Sequence, residues 1–336
     1  MENENGSPRG KFPLRGTMEI GRITSFSLIL PVHNCRDVIE EVLRAAIAAA
    51  HRWGDAEIIV VDHESTDGTS EFLLQQQRDS VRVYPFRGKT VAAVRNFGAS
   101  LARGEFLCFI DGDCLIEEDF LVRANQILTK VKVGALTCAY VPPKSAHWIE
   151  QVWHVLHFQN QAGAAKSFYG GNLIIRTDVF HALGGFNPNL VSGEDTELAA
   201  RLIATGHRIF FDPELCVVHL RNPKSVRQFF RRQLWHGLGM LGRSKGAQFS
   251  WTLMLSLGQL MMLVSALLLP FIPVGSLANR LILAPLFTLP IPAVAVAYRF
   301  WSVRRVRWPL RSFFLYYIYY LARALAIVKY FLRSGK

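Results

Sequence analysis

Phe106–Cys114, FLCFIDGDC, decides the reading of this chain. The apolar run Phe106 to Ile110 follows the turn-forming pair Arg103-Gly104 and opens directly into Asp111 and Asp113. A short apolar run bounded by turn residues reads as a buried strand. A strand ending in Asp-Gly-Asp sets two carboxylates at its carboxyl edge, where ligands sit in open α/β sheets. Two such charges repel unless a cation lies between or beside them. Hard oxygen ligands suit Mg2+ or Mn2+, ions that usually also hold substrate phosphates. The segment therefore predicts a metal–diphosphate site. Asp-Gly also suits an ordinary turn after a strand, and the neighbouring segments decide between the two.

Ser27 to Asn34, SLILPVHN, is a second apolar strand that ends in a polar loop with Pro31. Glu57 to Thr69, EIIVVDHESTDGT, is a third, running into Asp62, Ser65, Asp67 and Gly68. Asp37 to Ala50, between them, has helical composition, giving strand, helix, strand with a right-handed parallel crossover. Val91 to Ala102 is a further helix, carrying Arg95 and Asn96, that leads to the strand before Asp111. Several strands thus end in polar residues at one edge of one sheet. No GxGxxG or GxxxxGK[ST] run follows any of them, which excludes the usual dinucleotide fingerprint and the P-loop at this edge.

PVHN, VVDHESTDGT, RNFGASLARGEF, IDGDC, GGN, GGFNPNL and GEDTEL occur in this order. Together they resemble the family 2 inverting glycosyltransferases of the GT-A fold, over roughly residues 25 to 240. The resemblance implies an α/β fold: a Rossmann-like, mostly parallel sheet flanked by helices at about 23–222, after a disordered tail at 1–22.

Charge divides the chain. Its 38 basic and 26 acidic residues give +12, yet Glu214 is the last acid. Through Glu214 the balance is 21 minus 26, or −5; the remaining 122 residues carry 17 basic residues and no acid, or +17. That positive half is also the more apolar, which predicts a membrane surface with anionic lipids as partner and not nucleic acid. Trp251 to Pro273 is uncharged over 23 residues, and Leu281 to Tyr298 over 18, with Pro285, Pro290 and Pro292 inside it. Both are read as membrane spans, since prolines are tolerated in membrane helices. Arg231, Arg232, Arg243 and Lys245 precede the first; Arg299, Arg304, Arg305, Arg307 and Arg311 follow the second. The positive-inside rule then predicts a hairpin in the cytoplasmic membrane with the catalytic part in the cytoplasm. Residues 223–250 read as an amphipathic interfacial segment, and 312–332 as a third span or an in-plane helix. No apolar signal-peptide core opens the chain. Five cysteines without a CxxC pair point to reduced thiols and no structural zinc.

The resemblance implies transfer of one sugar from a nucleoside-diphosphate sugar, expected to be UDP-linked, with Mg2+ or Mn2+. The acceptor it implies is a lipid-linked saccharide or envelope polysaccharide. Asp113 becomes the metal ligand, and Asp111 contacts the ribose, or the metal through water. Pro31, Asn34, Asp62 and Arg95 surround the donor; Gly171, Asn172 and Trp235 face the acceptor. Asp195 becomes the general base, with Glu194 beside it, and His219 a further candidate metal ligand. Each has a plainer alternative. Glu194-Asp195 opens a helix and suits capping, Arg95 suits a helix surface, His219 a structural role, and Trp235 an interfacial helix.

Two departures stand out. Many relatives carry Asp-Asp after the third strand, where this chain has Asp62-His63. Processive synthases carry Gln-x-x-Arg-Trp, whereas Gln228 here is followed by Arg231, Arg232 and only later Trp235. Single transfer is therefore expected over processive synthesis. Among rivals, a sugar nucleotidyltransferase needs a Gly-rich loop with Arg and Lys after its first strand, which SLILPVHN lacks. An inactive membrane scaffold needs no Asp111, Asp113 and Asp195.

Overall fold

A computed structural model describes residues 25–336 except 55, 79, 158–160, 243–250, 274, 304–306 and 335–336. The expected tail at 1–22, and the basic residues Arg243, Lys245, Arg304 and Arg305, lie outside the described residues. Four parallel strands form the amino-terminal half-sheet: β1 (Phe26–Val32), β2 (Ala56–Asp62), β3 (Val81–Pro85) and β4 (Phe106–Ile110). β1 and β4 are buried throughout, as continuous apolar runs in a sheet covered on both faces must be. Their helical covers are α1 (Ile39–Trp53), α2 (Thr69–Gln75) and α3 (Val91–Ser100). α3 packs closely because Gly98 faces Ile29, whose Cγ2 would stand 2.5 Å from an added Cβ.

The second half-sheet mixes directions. It contains β5 (Cys114–Leu115), β6 (Ala135–Val141), β7 (Gly163–Ala165), β8 (Asn172–Arg176) and β9 (Ile209–His219). The order across the whole sheet is β3-β2-β1-β4-β8-β6-β9-β5, with β7 also on β9. β8 runs antiparallel to β4 and β6, so the expected mostly parallel pattern holds for the first half and turns mixed beyond β4. The β6–β9 register shifts at Cys138/Ala139, whose partners are Asp212 and Cys216. Pro213, within the skipped residues, has no N–H for a ladder. Around this half lie α4 (Phe120–Lys130), α5 (Trp148–His157), α6 (Thr177–Ala182) and α7 (Glu194–Ala204).

The carboxyl-terminal part is helical: α8 (Val226–Gly242), α9 (Trp251–Leu268), α10 (Leu277–Leu286), α11 (Pro290–Val303) and α12 (Pro309–Ser334). Among the described residues, three stretches are long and apolar enough to cross a membrane: Trp251–Phe271, Leu277–Val303 and Pro309–Leu332, with mean hydropathy 2.0, 2.0 and 1.2. The second, read as one run over 281–298, is two helices broken near Thr288, whose hydroxyl bonds the Pro285 carbonyl. Phe271 and Leu310, apolar side chains of these stretches, are 82% and 84% exposed. α12 is not a detached tail. Leu315, Tyr316 and Tyr320 are buried in one cluster with Ile149 and Val152 of α5 and Phe229 of α8. A Gly-x-Gly-x-x-Gly run does occur at Gly237–Gly242, but it lies inside α8. An added Cβ at Gly237 would meet the Ala326 methyl at 2.5 Å, so this run serves helix packing.

Candidate active site

The DGD turn is pinned from two sides. Gly112 N–H donates to the Pro31 carbonyl at 3.1 Å, and Asp111 N–H to the Gly171 carbonyl at 3.2 Å. Downstream, Cys114 pairs antiparallel with His219, and Leu220 N–H donates to the Asp113 carbonyl at 2.9 Å. This two-residue ladder brings the end of β9 against the turn, so His219 Nε2 lies 3.6 Å from Asp113 Oδ2. Asp113, Cys114 and His219 hold their ligand atoms within 4.8 Å of one another.

Burial pushes the Cys114 thiol well up, with Asp111 and Asp113 adding to the shift. It stays protonated beside the Asp113 carboxylate and is a poor ligand for a hard ion. Burial lowers His219, against the pull of Asp113, so the imidazole is neutral and has a lone pair to offer. Its Nδ1 is buried and has no hydrogen-bond partner among the described residues, so the ring is not accounted for by protein contacts. A carboxylate beside a neutral imidazole fits Mg2+ or Mn2+, with Asp113 and His219 as the residues to hold it.

Arg95 sits at the centre of the floor. Its Nη2 donates to Asp111 Oδ1 and its Nη1 to Glu194 Oε1, both at 2.7 Å. Burial opposes the charge, but Asp111 and Glu194 outweigh it and hold Arg95 protonated. Its side chain is 5% exposed, so the helix-surface alternative does not apply. The glycines of GGN make this packing possible. A Cβ on Gly171 would fall 1.9 Å from Asp111 Oδ2, and one on Gly170 2.6 Å from Arg95 Nη1. Gly171 is thus the bed on which Asp111 lies.

Glu194 and Asp195 diverge at the start of α7. Gly193, in the left-handed region at φ 80°, precedes them. Glu194 turns inward to Arg95, and burial raises its carboxyl against that partner's pull. Asp195 is half-buried and lines the cleft. Its Oδ1 accepts from Thr196 N–H at 2.6 Å, and no described protein donor reaches Oδ2.

The cleft has a volume of about 1400 Å³, larger than the usual small-ligand pocket of about 300–1,000 Å³. Pro31, Arg95, Asp111, Asp113, Gly171, Glu194, Asp195, His219 and Trp235 all line it. Three expected site residues do not. Both Asp62 oxygens accept hydroxyls, from Ser65 at 2.5 Å and from Ser70, and Asp62 faces a smaller neighbouring recess. Asn34 accepts from Thr66 N–H at 2.8 Å, tying two loops together. Asn172 is 1% exposed and bridges to β6 through Thr137 and the Cys138 carbonyl. Their polar groups are engaged by protein partners.

His63, flagged only as a departure, is the residue of that strand end which lines the cleft. Its Nε2 lies 2.6 Å from the Gly88 carbonyl. A carbonyl only accepts, so Nε2 carries the proton and a neutral ring leaves Nδ1 as an acceptor. The sequence reading also missed Tyr140, whose hydroxyl lies 3.5 Å from Asp111 Oδ2. Glu150, Trp153, Tyr319 and Arg323 were missed too; they belong to α5 and α12, far from the motifs in sequence. Gln228 accepts from Lys224 and Ser225 N–H and caps α8. Arg232, four residues on, lines the cleft.

Family models match in two overlapping stretches: "Glycosyl transferase family 2" over residues 27–184 and "Glycosyl transferase family group 2" over residues 106–328. Glycosyltransferase AglE of Haloferax volcanii is 25% identical over 222 residues, covering 64% of this chain and 72% of AglE. The probable glycosyltransferase YdaM of Bacillus subtilis is 25% identical, over 62% of this chain; the match spans about half of YdaM, 53%. Among solved structures, a Pyrobaculum calidifontis mannosyltransferase in complex with GDP-Man and Mn2+ shares the fold. Its TM-score is 0.58 at 19% identity, covering 91% of this chain and 86% of that one.

Proposed function

The chain belongs to glycosyl transferase family 2, and from that premise we propose that it is an inverting, metal-dependent transferase of single sugars. Its donor is a nucleoside-diphosphate sugar, and its acceptor a lipid-linked saccharide or envelope polysaccharide. The observation that carries this is the Asp113–His219 pair and the open carboxylate Asp195 lining one cleft.

Asp113 and His219 would hold Mg2+ or Mn2+, which when bound neutralises the diphosphate as it leaves. Arg95 fixes Asp111 at the same edge, without itself facing the donor as a free cation. Asp195 takes the proton from the acceptor hydroxyl at Oδ2. Glu194 is unsuited to that step because Arg95 already holds it. Positioning is the rest of the chemistry: attacking oxygen and departing phosphate must lie in line across the sugar.

UDP is the preferred donor nucleotide. With Nε2 committed to Gly88, His63 offers one acceptor, which matches the single N3–H of uracil. Guanine presents two adjacent N–H groups, which a carboxylate meets better. GDP is the competing reading, because the mannosyltransferase neighbour is named with GDP-Man. Displacement of a fluorescent nucleotide from the full-length protein with Mn2+ separates them. UDP is expected to displace it well below the concentration GDP needs; the opposite order reverses the assignment.

The protein is proposed to sit in the cytoplasmic membrane as a multi-pass anchor, with the cleft on the cytoplasmic side. The acid-free, +17 segment after Glu214 supports that orientation. Four of the five native cysteines are buried, so single introduced cysteines can be labelled over a low background. Impermeant label on intact cells is expected to reach position 276 and not 305. Reaction at position 334 would make α12 a third span, and protection there an in-plane helix.

A further inference from the structure

Glu150 stands in the first turn of α5. Its Oε2 accepts from His147 N–H at 2.7 Å. That is the returning half of a capping box, in which a glutamate satisfies a free N–H at a helix start. Such a cap needs one oxygen and no burial. Glu150 is instead 4% exposed and lines the cleft. Its Oε1 is buried and meets no hydrogen-bond donor among the described residues. A buried carboxylate oxygen is costly to leave unpaired, so capping does not account for this side chain.

His219 Nδ1 is another buried polar atom of the cleft without a described partner. Tyr140 connects the two residues. His154, four residues after Glu150 and so on the same helix face, sets its Nδ1 3.1 Å from the Tyr140 carbonyl. The Tyr140 ring packs edge-on against the His219 ring, with centres 5.4 Å apart. Glu150 is close enough for its charge to be felt at His219, where burial is the strongest influence and Asp113 the next; Glu150 acts in the same direction as Asp113.

The two unsatisfied atoms are complementary. His219 Nε2 faces Asp113 Oδ2 at 3.6 Å, too far for a hydrogen bond between them. A neutral ring that offers Nε2 to a cation keeps its proton on Nδ1, and that N–H needs an acceptor. Metal-holding histidines usually give this second N–H to a carboxylate, a carbonyl or water. Resting on the reading of Asp113 and His219 as metal ligands, we infer that Glu150 is a positioning residue for the metal site. Through one bridging water its Oε1 accepts a hydrogen bond from His219 Nδ1–H, and so holds the Nε2 lone pair toward the cation beside Asp113. The proton stays on the ring throughout. Arg232 and Arg323 line the same wall of the cleft, and their rival claim on Oε1, as a plain counter-ion, is what the experiment must separate.

The probe is Mn2+ alone, with full-length protein in detergent micelles and no donor or acceptor. Glu150→Gln isolates Oε1. The amide oxygen still accepts the His147 N–H, and the amide N–H groups then face His219 as donors. Nδ1 must accept, the ring proton moves to Nε2, and that nitrogen is lost to the cation. Mn2+ affinity, followed by electron paramagnetic resonance, should fall roughly 10- to 100-fold, and no further than in His219→Gln. Pulsed spectra should show nitrogen coupled to Mn2+ in the parent, none in His219→Gln, and a lost or weakened coupling in Glu150→Gln. Parent-like affinity and coupling in Glu150→Gln overturn the inference; if its melting temperature alone falls, Glu150 is a counter-ion to Arg232 and Arg323. A parent without nitrogen coupling removes His219 from the metal reading itself, and the inference with it. A second measurement needs no Glu150 variant to fold. In metal-free protein with isotope-labelled histidine, the His219 ring signals, assigned by their loss in His219→Gln, should be those of the Nδ1–H tautomer. An Nε2–H ring overturns the inference and leaves the metal reading to stand on the nitrogen coupling.

Discussion

Asp195→Asn lowers turnover by about 10²–10⁴-fold, the usual cost of losing a positioned base, while nucleotide affinity stays near that of the parent. The substitution removes only the basic oxygen. Asparagine keeps the size and can still accept the Thr196 N–H that Asp195 Oδ1 accepts at 2.6 Å. Asp195 is half-buried, so its neutralisation strands no charge, and thermal stability should hardly move. Glu194→Gln supplies the contrast. It leaves Arg95, 4% exposed, with Asp111 as its one remaining carboxylate of the two. Breaking a buried pair by removing one partner costs about 3–5 kcal/mol. The lower end applies, because Asp111 stays and keeps some access to water. The expected signature is a lowered melting temperature together with lost activity. Activity surviving in Asp195→Asn but vanishing in a stably folded Glu194→Gln would move the base by one residue.

How much of this was legible in sequence depends on distance along the chain. The parallel half of the sheet was readable because each strand is a short apolar run, and each ends in a motif whose residues face one edge. β8 reversed the sheet, and nothing in Asn172–Arg176 announces direction. The pair Asp113 and His219 is more than 100 residues apart in sequence. The two-residue ladder of Cys114–Leu115 on His219–Val218 joins them, and so short a strand has no periodicity to detect. Asp62 illustrates the converse. The motif marks it as polar and strand-terminal, but motif position does not say which way a carboxylate turns. Here two serine hydroxyls claim it, and His63 faces the cleft. Arg95 read as a donor contact, with a helix surface charge as the alternative; its two carboxylate partners come from the turn after β4 and from α7, which only tertiary packing brings together. The α12 wall was hidden for another reason: hydropathy marks a helix as apolar but not which neighbour its few charges face.

Asp113→Asn tests the metal assignment with a change of one atom type. Its backbone role, accepting from Leu220 N–H at 2.9 Å, is untouched, so the β5–β9 ladder persists and His219 stays beside the turn. What goes is the negative charge, and with it the attraction for a divalent ion in a site where burial keeps His219 neutral. A metal at a departing diphosphate supplies several kcal/mol of transition-state stabilisation, so turnover should fall on the order of 10³-fold. Mn2+ affinity of the purified protein, followed by electron paramagnetic resonance, should weaken in parallel, a readout independent of catalysis. His219→Gln should weaken Mn2+ as well, but less, since a neutral ligand contributes coordination without Coulomb attraction. Chelation of the parent enzyme should abolish transfer, and Mn2+ or Mg2+ should restore it. Turnover that resists chelator, or an Asp113→Asn protein that binds Mn2+ normally, would leave the two residues as a structural contact between β5 and β9. The burden of neutralising the diphosphate would then fall on cations that line the cleft, Lys89, Lys166, Arg221 and Arg232 among them.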